Sequence, residues 1–354
     1  MPNNKPKYLD AASTTPVDPR VKEAMLPYFD EIFGNASSQH IYGKQAKRAI
    51  DKARGQVAEI INADQKEIYF TSGATESINW ALKGYMEANP EKGNHIITVK
   101  TEHKAVLNTC EYLENKGYEV TYLDVDANGL ISLNELKNAI QNKTAIISVM
   151  YVNNEIGIIQ NIQEIGKIAR DNSICFFTDA TQAVGKIEVD VVKDNIDMLC
   201  LSAHKLKGPK GIGSLYIRTG VKLEPLIHGG GQENGMRGGT YNTPLIVGLG
   251  KACEIAQSEY KSNLEKYTLL KDVWEERLSA DAQLLFKNSN VAPHIMCFRS
   301  KNCESEEFLM LKAKEFAAST GSACNSNIVE KSHVTAALRP DYELFRISFN
   351  LNEV

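Results

Sequence analysis

Residues 196–213 read Ile-Asp-Met-Leu-Cys-Leu-Ser-Ala-His-Lys-Leu-Lys-Gly-Pro-Lys-Gly-Ile-Gly. The apolar run at 198–201 is typical of a parallel strand that is covered on both faces, and it ends before Ser202. Ligands of open α/β sheets bind at the carboxyl ends of the strands, and the turn at 208–211 lets the chain reverse there. The stretch therefore predicts that Lys205 lies in a ligand site at the edge of a sheet. The alternative is a solvated lysine in a surface turn.

An aspartate follows a second apolar run along the chain. Residues 174–177, Ile-Cys-Phe-Phe, predict a buried strand, and Asp179 stands at its end. A lysine and a carboxylate at neighbouring strand ends suit pyridoxal 5'-phosphate, because the amine forms a Schiff base with the aldehyde and the acid keeps the pyridine nitrogen protonated. Asp179 and Lys205 therefore predict a pyridoxal phosphate site, with a plain salt bridge as the alternative.

Strand and helix patterns alternate through most of the chain. Predicted strands lie at 68–70, 95–100, 120–125 and 145–152, and predicted helices at 44–61, 103–113, 133–140 and 162–170. This alternation predicts an α/β protein whose large domain, residues 16–255, has a mostly parallel sheet with right-handed crossovers. Residues 1–15 and 256–354 are predicted to form a smaller α+β domain, because a chain of this length exceeds what one core usually holds.

Three polar segments fall where ligands of such a sheet would bind. Thr71-Ser-Gly-Ala-Thr-Glu76 joins a strand to a helix, so its amides and hydroxyls can cradle a phosphate; helix capping by one of those hydroxyls is the alternative. Asn154 follows the next strand and shares the edge with the aspartate and the lysine, unless it is a simple turn residue. The glycine-rich segment 227–240 must approach something closely or bend sharply.

The charge balance argues against nucleic acid or an anionic membrane as the main partner. The 354 residues include 40 basic and 44 acidic side chains, a net charge of −4, so no strong field of either sign is expected. No apolar run approaches the roughly 18 to 20 residues that cross a bilayer, and the first residues do not resemble a signal peptide. We therefore expect a cytoplasmic protein with a small-molecule substrate.

Seven cysteines are present, and no two are arranged as Cys-x-x-Cys. The odd number and the spacing predict neither a disulfide framework nor a metal site. Six of them fall in apolar strands, at helical positions or in a polar turn. Cys324 differs because it stands in the small-residue segment Ala318-Ser-Thr-Gly-Ser-Ala-Cys-Asn-Ser-Asn327, where a thiol is expected to be exposed.

Motifs spread over nearly the whole chain together resemble the pyridoxal-phosphate-dependent cysteine desulfurases. They are Tyr8-Leu-Asp-Ala-Ala, Gly34-Asn-Ala-Ser-Ser-Gln-His, Thr71-Ser-Gly-Ala-Thr-Glu-Ser, Glu102-His-Lys-Ala-Val, Val152-Asn-Asn-Glu-Ile-Gly, Asp179-Ala-Thr-Gln, Ser202-Ala-His-Lys, Gly208-Pro-Lys-Gly-Ile-Gly, Arg237-Gly-Gly-Thr and Gly321-Ser-Ala-Cys. The resemblance implies the fold-type-I architecture of pyridoxal phosphate enzymes. Gly321-Ser-Ala-Cys in a long segment is similar to the group of the family whose catalytic cysteine is carried on a long loop.

The resemblance implies roles for individual residues. Lys205 would hold the cofactor and move protons at the α carbon, Cys324 would take up sulfur, and His103 would stack on the ring and exchange a proton with the substrate thiol. Implied phosphate contacts are Ala74, Thr75, Ser202 and His204, with Thr240 reaching the phosphate of the partner subunit. Asp179 would pair with the pyridine nitrogen, and Gln182 and Asn154 would contact the ring oxygen or the substrate. Asn35 and Arg346 would hold the substrate carboxylate, which a guanidinium can bind with two hydrogen bonds.

The implied activity is conversion of L-cysteine to L-alanine, with the sulfur kept as a persulfide on Cys324. The implied partners are a second copy of the chain and a sulfur-acceptor protein for iron–sulfur clusters or thio-modification. The segment after Cys324 is more polar than is usual in the family, so the identity of the sulfur acceptor stays open. The extra glycine in Arg237-Gly-Gly-Thr240 is a small departure from the family pattern.

Two alternatives of different classes stay open from the residues. A selenocysteine lyase or an aminotransferase would share the cofactor site, but Cys324 in its small-residue segment argues against both. A non-catalytic sulfur-delivery scaffold would share the fold, but intact Lys205, Asp179 and His103 argue against it.

Overall fold

The computed structural model describes residues 5–320, 332–338, 340 and 342–351. Its strands are β1 (Lys7–Tyr8), β2 (Ile68–Thr71), β3 (His95–Val99), β4 (Glu119–Leu123), β5 (Thr144–Ser148), β6 (Cys175–Asp179), β7 (Met198–Ser202), β8 (Gly213–Ile217), β9 (Ala282–Leu284), β10 (Ile295–Ser300), β11 (Phe316–Ala317) and β12 (Phe345–Ser348). Its α-helices are α1 (Pro19–Met25), α2 (Pro27–Asp30), α3 (Ile41–Glu59), α4 (Ala74–Asn79), α5 (Tyr85–Ala88), α6 (Lys104–Glu114), α7 (Leu133–Ala139), α8 (Ile162–Asp171), α9 (Thr243–Ser258), α10 (Tyr260–Leu278), α11 (Ser305–Lys312) and α12 (His333–Leu338). In this described part of the chain, no helix is long and apolar enough to cross a membrane.

A seven-stranded sheet forms the centre of the protein, in the order β2-β8-β7-β6-β5-β3-β4. The neighbours from β7 through β4 pair in parallel, whereas β8 is antiparallel to both β7 and β2. The turn at 208–211 reverses the chain between β7 and β8, as its glycine and proline content predicts. The predicted α/β class with a mostly parallel sheet is therefore confirmed.

Consecutive residues of the central strands belong to two different hydrophobic cores. Phe176 and Leu199 lie in one core, and Phe177 and Cys200 lie in the other. Successive side chains of a strand point to opposite faces, so a continuous apolar run is what a strand covered on both faces requires. The strands β6 and β7 are accordingly buried along their whole length.

Helices α3 and α9 cover the first of these faces. α3 buries Ala46, Ile50, Ala53 and Val57, which recur at helical spacing. A Cβ at Gly250 of α9 would lie 2.6 Å from the Cα of Ala53, so the absence of a side chain there lets the two helices approach closely. The same core includes residues of both helices and of the central strands.

Two smaller sheets are built from the ends of the chain. One is antiparallel with the order β12-β10-β9, and in the other β1 pairs in parallel with β11. Side chains of these sheets and of α10 share a separate core that includes Trp274, Phe298, Phe316 and Phe345. The strands of both sheets lie within residues 1–15 and 256–354, and the division of the chain into a large domain of residues 16–255 and a small domain stays a prediction.

The carboxyl ends of β2, β6 and β7 lie at one edge of the central sheet. Because β8 is antiparallel to both of its neighbours, β2 runs in the same direction as β7, and Thr71 and Ser202 both pair with Gly213. The loops that leave β2 and β7 are therefore adjacent, although the strands themselves are separated by β8.

Strand β5 is shorter than the strand predicted at 145–152. It ends at Ser148, yet the amides of Val149 and Tyr151 still donate to the carbonyls of Phe177 and Asp179, at 3.2 and 2.9 Å. The chain thus continues beside β6 after the regular strand ends. The turn that contains Asn154 consequently begins at the same edge as Asp179.

Candidate active site

Lys205 ends a short 3₁₀ turn that directly follows β7. Its Nζ donates to the carbonyl oxygens of Ala12 and Ser13, both at 2.6 Å, and to no other group among the described residues. Burial and the positive charge of Arg346 lower the pKa of Lys205 to about 8, although two nearby carboxylates oppose the shift. An amine that loses its proton near neutral pH can attack an aldehyde.

Asp179 is the last residue of β6, next to β7 in the sheet. Its carboxylate accepts hydrogen bonds from the Thr181 amide at 2.9 Å and from the Cys200 thiol at 3.4 Å. Burial, and then the Asp179 charge, raise the pKa of Cys200, so the thiol keeps the proton that it donates. The predicted juxtaposition of Asp179 and Lys205 at neighbouring strand ends is present. Among the described residues no ion pair joins them, so the structure does not contain the plain salt bridge.

The first turn of α4 lies beside Ser202. A Cβ at Gly213 would come within 2.8 Å of the Cα of Gly73, and a Cβ at Gly73 would lie 3.8 Å from the Ser202 hydroxyl oxygen. The carbonyl of Gly73 accepts the first helical hydrogen bond of α4. The amides of residues 74–76 precede that bond, so they have no acceptor within the helix. The N–H groups of Ala74 and Thr75 and the Ser202 hydroxyl are together the kind of donors that bind a phosphate.

His204 lies between Ser202 and Lys205 and is partly buried. Its Nδ1 is 3.1 Å from the Thr14 hydroxyl oxygen. Burial, followed by the positive charge of Lys205, lowers the pKa of His204 to about 4. The ring is therefore neutral near pH 7 and can act as a hydrogen-bond donor without adding a charge.

Gln182 is held by two hydrogen bonds that fix the orientation of its amide. Its Nε2 donates to the Ala12 carbonyl at 2.8 Å, and its Oε1 lies 3.1 Å from Nε2 of the buried His294. Because Oε1 can only accept, His294 carries its proton on Nε2. The Ala12 carbonyl thus accepts from both Gln182 and Lys205, which connects the predicted ring-oxygen ligand to the lysine.

Arg346 is 4% exposed and belongs to β12. Its guanidinium donates to Asp10 Oδ1 at 2.6 Å, to the Ser13 hydroxyl at 2.8 Å and to the Asn154 carbonyl at 2.5 Å. Its Nε is buried without a partner among the described residues. A substrate carboxylate at this position would share the guanidinium with Asp10, so only part of the Arg346 guanidinium is free to bind the substrate.

Three other predicted residues lie in exposed positions. His103 caps α6, and its Nδ1 accepts from the Ala105 amide at 3.1 Å, so the proton of the neutral ring is on Nε2. Asn35 accepts from the Ser37 amide within its own turn. In the described part of the chain, neither Asn35 nor Thr240 makes a hydrogen bond to Lys205 or Arg346. Cys324 lies outside the described residues.

The glycine-rich segment that contains Thr240 is tied to the candidate phosphate site. Arg237 and Glu76 form an ion pair, with Nε and Oε1 2.8 Å apart. Glu76 belongs to the first turn of α4 and also accepts from the Ser72 amide at 2.7 Å. This pair fixes the segment against the same helix whose amides face the candidate phosphate position.

Several contacts in the site were not predicted from the sequence. The carbonyls of Ala12 and Ser13 hold Lys205, Asp10 neutralises Arg346, and Cys200 donates to Asp179. Asp10 and Ala12 belong to the Tyr8-Leu-Asp-Ala-Ala motif, which is a sequence signal for both although it does not give their roles. Cys200 had no such signal, because a thiol inside an apolar strand looks like any small core residue.

The described residues fit pyridoxal phosphate. The amine of Lys205 has no acidic partner and a lowered pKa, Asp179 is a carboxylate held at the neighbouring strand end, and the start of α4 offers N–H groups to a phosphate. These groups could supply the covalent, pyridine and phosphate contacts that the cofactor needs.

Known proteins are similar to this chain over almost its full length. Residues 7–353 match the family described as Aminotransferase class-V. A cysteine desulfurase IscS of Methanosarcina thermophila is 50% identical over an alignment of 359 positions, which covers 99% of this chain and 87% of that protein. A cysteine desulfurase IscS of Neisseria meningitidis is also 50% identical, over 98% of this chain and 87% of that protein.

Solved structures agree with the sequence relatives. A structure titled NifS-like protein has a TM-score of 0.91 and 36% identity, covering 98% of this chain and 96% of that one. A structure titled SspA in complex with cysteine has a TM-score of 0.84 and 40% identity, covering 97% of this chain and 98% of that one. Together with the lysine, aspartate and helix start at the sheet edge, these similarities show that the chain belongs to the pyridoxal-phosphate-dependent cysteine desulfurases of the class-V aminotransferase family.

Proposed function

We propose that Lys205, Asp179 and Arg346, together with Cys324 and His103, carry out cysteine desulfuration in this chain. The observation that supports this most is the state of Lys205, whose amine contacts only two carbonyls among the described residues and whose pKa is lowered to about 8. Pyridoxal phosphate, when bound, supplies an electron sink that weakens the bonds at the substrate's α carbon and then the bond from the β carbon to sulfur.

The residues at the strand ends hold the cofactor and move protons. Lys205 would hold it covalently, and the amine of Lys205 would move a proton at the substrate's α carbon. Asp179, itself held by an amide and a thiol, keeps the pyridine nitrogen protonated. Ala74, Thr75, Ser202 and His204 bind the phosphate. Gln182 keeps one N–H available for the ring oxygen while its other contacts fix the amide.

The substrate is oriented by its carboxylate. Arg346 offers its buried Nε, which has no partner among the described residues, while Asp10 and the Asn154 carbonyl hold the other end of the guanidinium. Asn35 and Asn154 supply amide groups to the same substrate. His103 stacks on the ring, and its Nε2 exchanges a proton with the substrate thiol.

Sulfur leaves the substrate by attack of the Cys324 thiolate. A sulfur–sulfur bond forms as the carbon–sulfur bond breaks, and the electron pair of the broken bond stays with the β carbon, which then takes up a proton. L-Cysteine and the Cys324 thiol are thus converted to L-alanine and a Cys324 persulfide. The persulfide sulfur is then passed to an acceptor protein.

The proposal includes a homodimer and a cytoplasmic location. Thr240 is exposed, so its hydroxyl is open to the phosphate site of the partner subunit. The six cysteines within the described residues are all free thiols, which suits a reducing compartment. L-Cysteine, a second copy of the chain and a sulfur acceptor are the expected partners.

The test is the reaction of the purified protein with L-cysteine in the presence of a reducing thiol. We expect a yellow protein that releases alanine and sulfide in equal amounts. A protein that instead transfers the amino group to a keto acid is an aminotransferase, and one that acts on selenocysteine but not cysteine is a selenocysteine lyase. Either result contradicts the proposal.

A further inference from the structure

The turn after β5 is organised around one asparagine side chain. Asn153 Oδ1 accepts from the amides of Glu155 and Ile156, at 2.9 and 3.1 Å, and its Nδ2 donates to the Thr101 carbonyl at 2.9 Å. These bonds fix the backbone between β5 and the following residues. One consequence is that the carbonyl of Asn154 is held against Arg346. The other is that the next side chain, Glu155, points into the protein and is 8% exposed.

Glu155 is hydrogen-bonded to the residue that starts α12. The Ser332 hydroxyl donates to its carboxylate, and no other side chain among the described residues does so. The same hydroxyl accepts from the Val334 amide at 3.1 Å, so Ser332 caps α12 while it is held by Glu155. Next to it, His333 Nε2 lies 2.7 Å from the carbonyl of Glu102, the residue before His103.

Ser319, which precedes Cys324 in the sequence, is attached to the same site through Arg346. Ser319 and Arg346 exchange two backbone hydrogen bonds, of 2.7 and 3.3 Å. The side chain of Arg346 contacts Asn154, and the side chain of the following Glu155 contacts Ser332. Ser319 and Ser332 are therefore both connected to the candidate substrate site, through Arg346 on one side and Glu155 on the other.

We propose that Glu155 is a positioning residue for the sulfur-transfer step, acting through Ser332. Its carboxylate fixes Ser332, which follows Cys324 in the sequence, on the turn that also contacts Arg346, and this favours attack of the Cys324 thiol on the substrate sulfur. The inference rests on the proposed role of Cys324 as the acceptor of sulfur. It concerns only the transfer, so cofactor binding and cysteine binding do not depend on it.

The environment of Glu155 supports a role beyond packing. Burial raises its pKa to about 7, while the Ser332 hydrogen bond and the charges of Arg346 and Lys104 lower it. Burial, and then the charge of Glu155, raise the pKa of the Cys297 thiol on β10. A carboxylate in such a place is costly compared with an apolar side chain, so packing alone does not account for it.

Ser332→Ala, Ser332→Thr and Glu155→Gln separate this role from a structural one. Each protein is loaded with pyridoxal phosphate and mixed with one equivalent of cysteine without a reducing thiol. Cofactor absorbance, the spectral change on adding cysteine, and the rate at which Cys324 gains one sulfur atom by peptide mass spectrometry are recorded. Steady-state assays with reducing thiol give kcat and the KM for cysteine.

We expect Ser332→Ala to slow sulfur gain on Cys324 by about tenfold or more, the size of losing one hydrogen bond to a charged group. The cofactor absorbance, the spectral change and the KM should stay within about twofold of wild type. Ser332→Thr keeps the hydroxyl and should recover most of the rate. Glutamine has the same shape as glutamate and keeps an acceptor oxygen, so Glu155→Gln should fold. Its rate of sulfur gain on Cys324 should lie between those of wild type and Ser332→Ala.

Ser132→Ala is the matched control, because Ser132 caps α7 in the same manner through the Glu135 amide and makes no contact with the site. An equal loss in Ser132→Ala would show a general effect of losing a helix cap and would overturn the inference. So would an unchanged transfer rate in Ser332→Ala, or a rise in KM that accounts for the whole loss. If wild-type protein gains no sulfur on Cys324, the proposed nucleophile is wrong and the inference falls with it.

Discussion

The ionisation of Lys205 gives a quantitative test of the site. With a pKa of about 8 in the folded protein, roughly one amine in ten is unprotonated at pH 7, against about one in 2,500 for an ordinary lysine. Only the unprotonated amine attacks an aldehyde. Covalent capture of pyridoxal phosphate by the folded apoprotein should therefore rise about tenfold per pH unit well below pH 8, reach about half of its maximum near pH 8 and level off above it. At pH 7 the advantage over an ordinary lysine is about 200-fold.

Asp10→Asn shifts this profile in a defined direction. The Asp10 carboxylate raises the pKa of Lys205 directly, and it also neutralises Arg346, whose charge lowers that pKa. Removing the carboxylate lowers the pKa by both routes, so the midpoint of capture should move below that of wild type. The conservative asparagine keeps an oxygen that can accept from Arg346.

The assay is stopped-flow absorbance of the covalent adduct between pH 6 and 10, followed by borohydride reduction and peptide mapping. The mapping is needed because burial lowers the pKa of Lys207 to about 8 as well. A midpoint near 10, a higher midpoint in Asp10→Asn, or a pyridoxyl group on Lys207 would each refute the reasoning. Lys205→Ala is the control that should capture no cofactor covalently.

Three further results are expected. Cys324→Ala should keep its colour and the spectral change with cysteine, while alanine release falls by orders of magnitude; an undiminished rate of alanine release would mean that another thiol accepts the sulfur. The wild-type protein should sediment as a dimer, and Thr240→Val should weaken cofactor retention by about 1 to 3 kcal/mol if its hydroxyl binds the partner's phosphate; an active monomer would contradict this. Glu233→Gln should destabilise the fold by about 3 kcal/mol in urea unfolding, because Glu233 pairs with Arg54 through both oxygens at 2.7 Å and is 3% exposed; a change below about 1 kcal/mol would show that the pair is not strongly coupled.

Much of the fold could be predicted because its signals are local. The apolar runs of β6 and β7 required strands covered on both faces, and both are fully buried. Asp179 and Lys205 could then be placed at one edge, since parallel strands end at the same side of a sheet. The end of β5 was missed because the chain after Ser148 stays apolar and beside β6 without keeping regular pairing.

The contacts that complete the site could not be read in the same way. Glu155 and Ser332 each have an ordinary sequence context, and nothing local shows that one donates to the other. Cys200 looked like a core residue, and its hydrogen bond to Asp179 depends on the register between β6 and β7. Hydrophobic periodicity reports which face of an element is buried, but it carries no information on the polar atom that a distant segment brings to that face.

The sequence by itself determined that this protein has a mostly parallel sheet with an acid and a lysine at its carboxyl edge, because strand pattern and strand direction follow from neighbouring residues. Only the tertiary structure decided the hydrogen-bond partners and the pKa values of the groups at that edge. Lys205 is held by the carbonyls of Ala12 and Ser13, some 190 residues away in the chain. Arg346 is paired with Asp10, which precedes it by 336 residues. The charge and the pKa of a buried group depend on whatever lies within a few ångströms, and that is set by how distant segments pack.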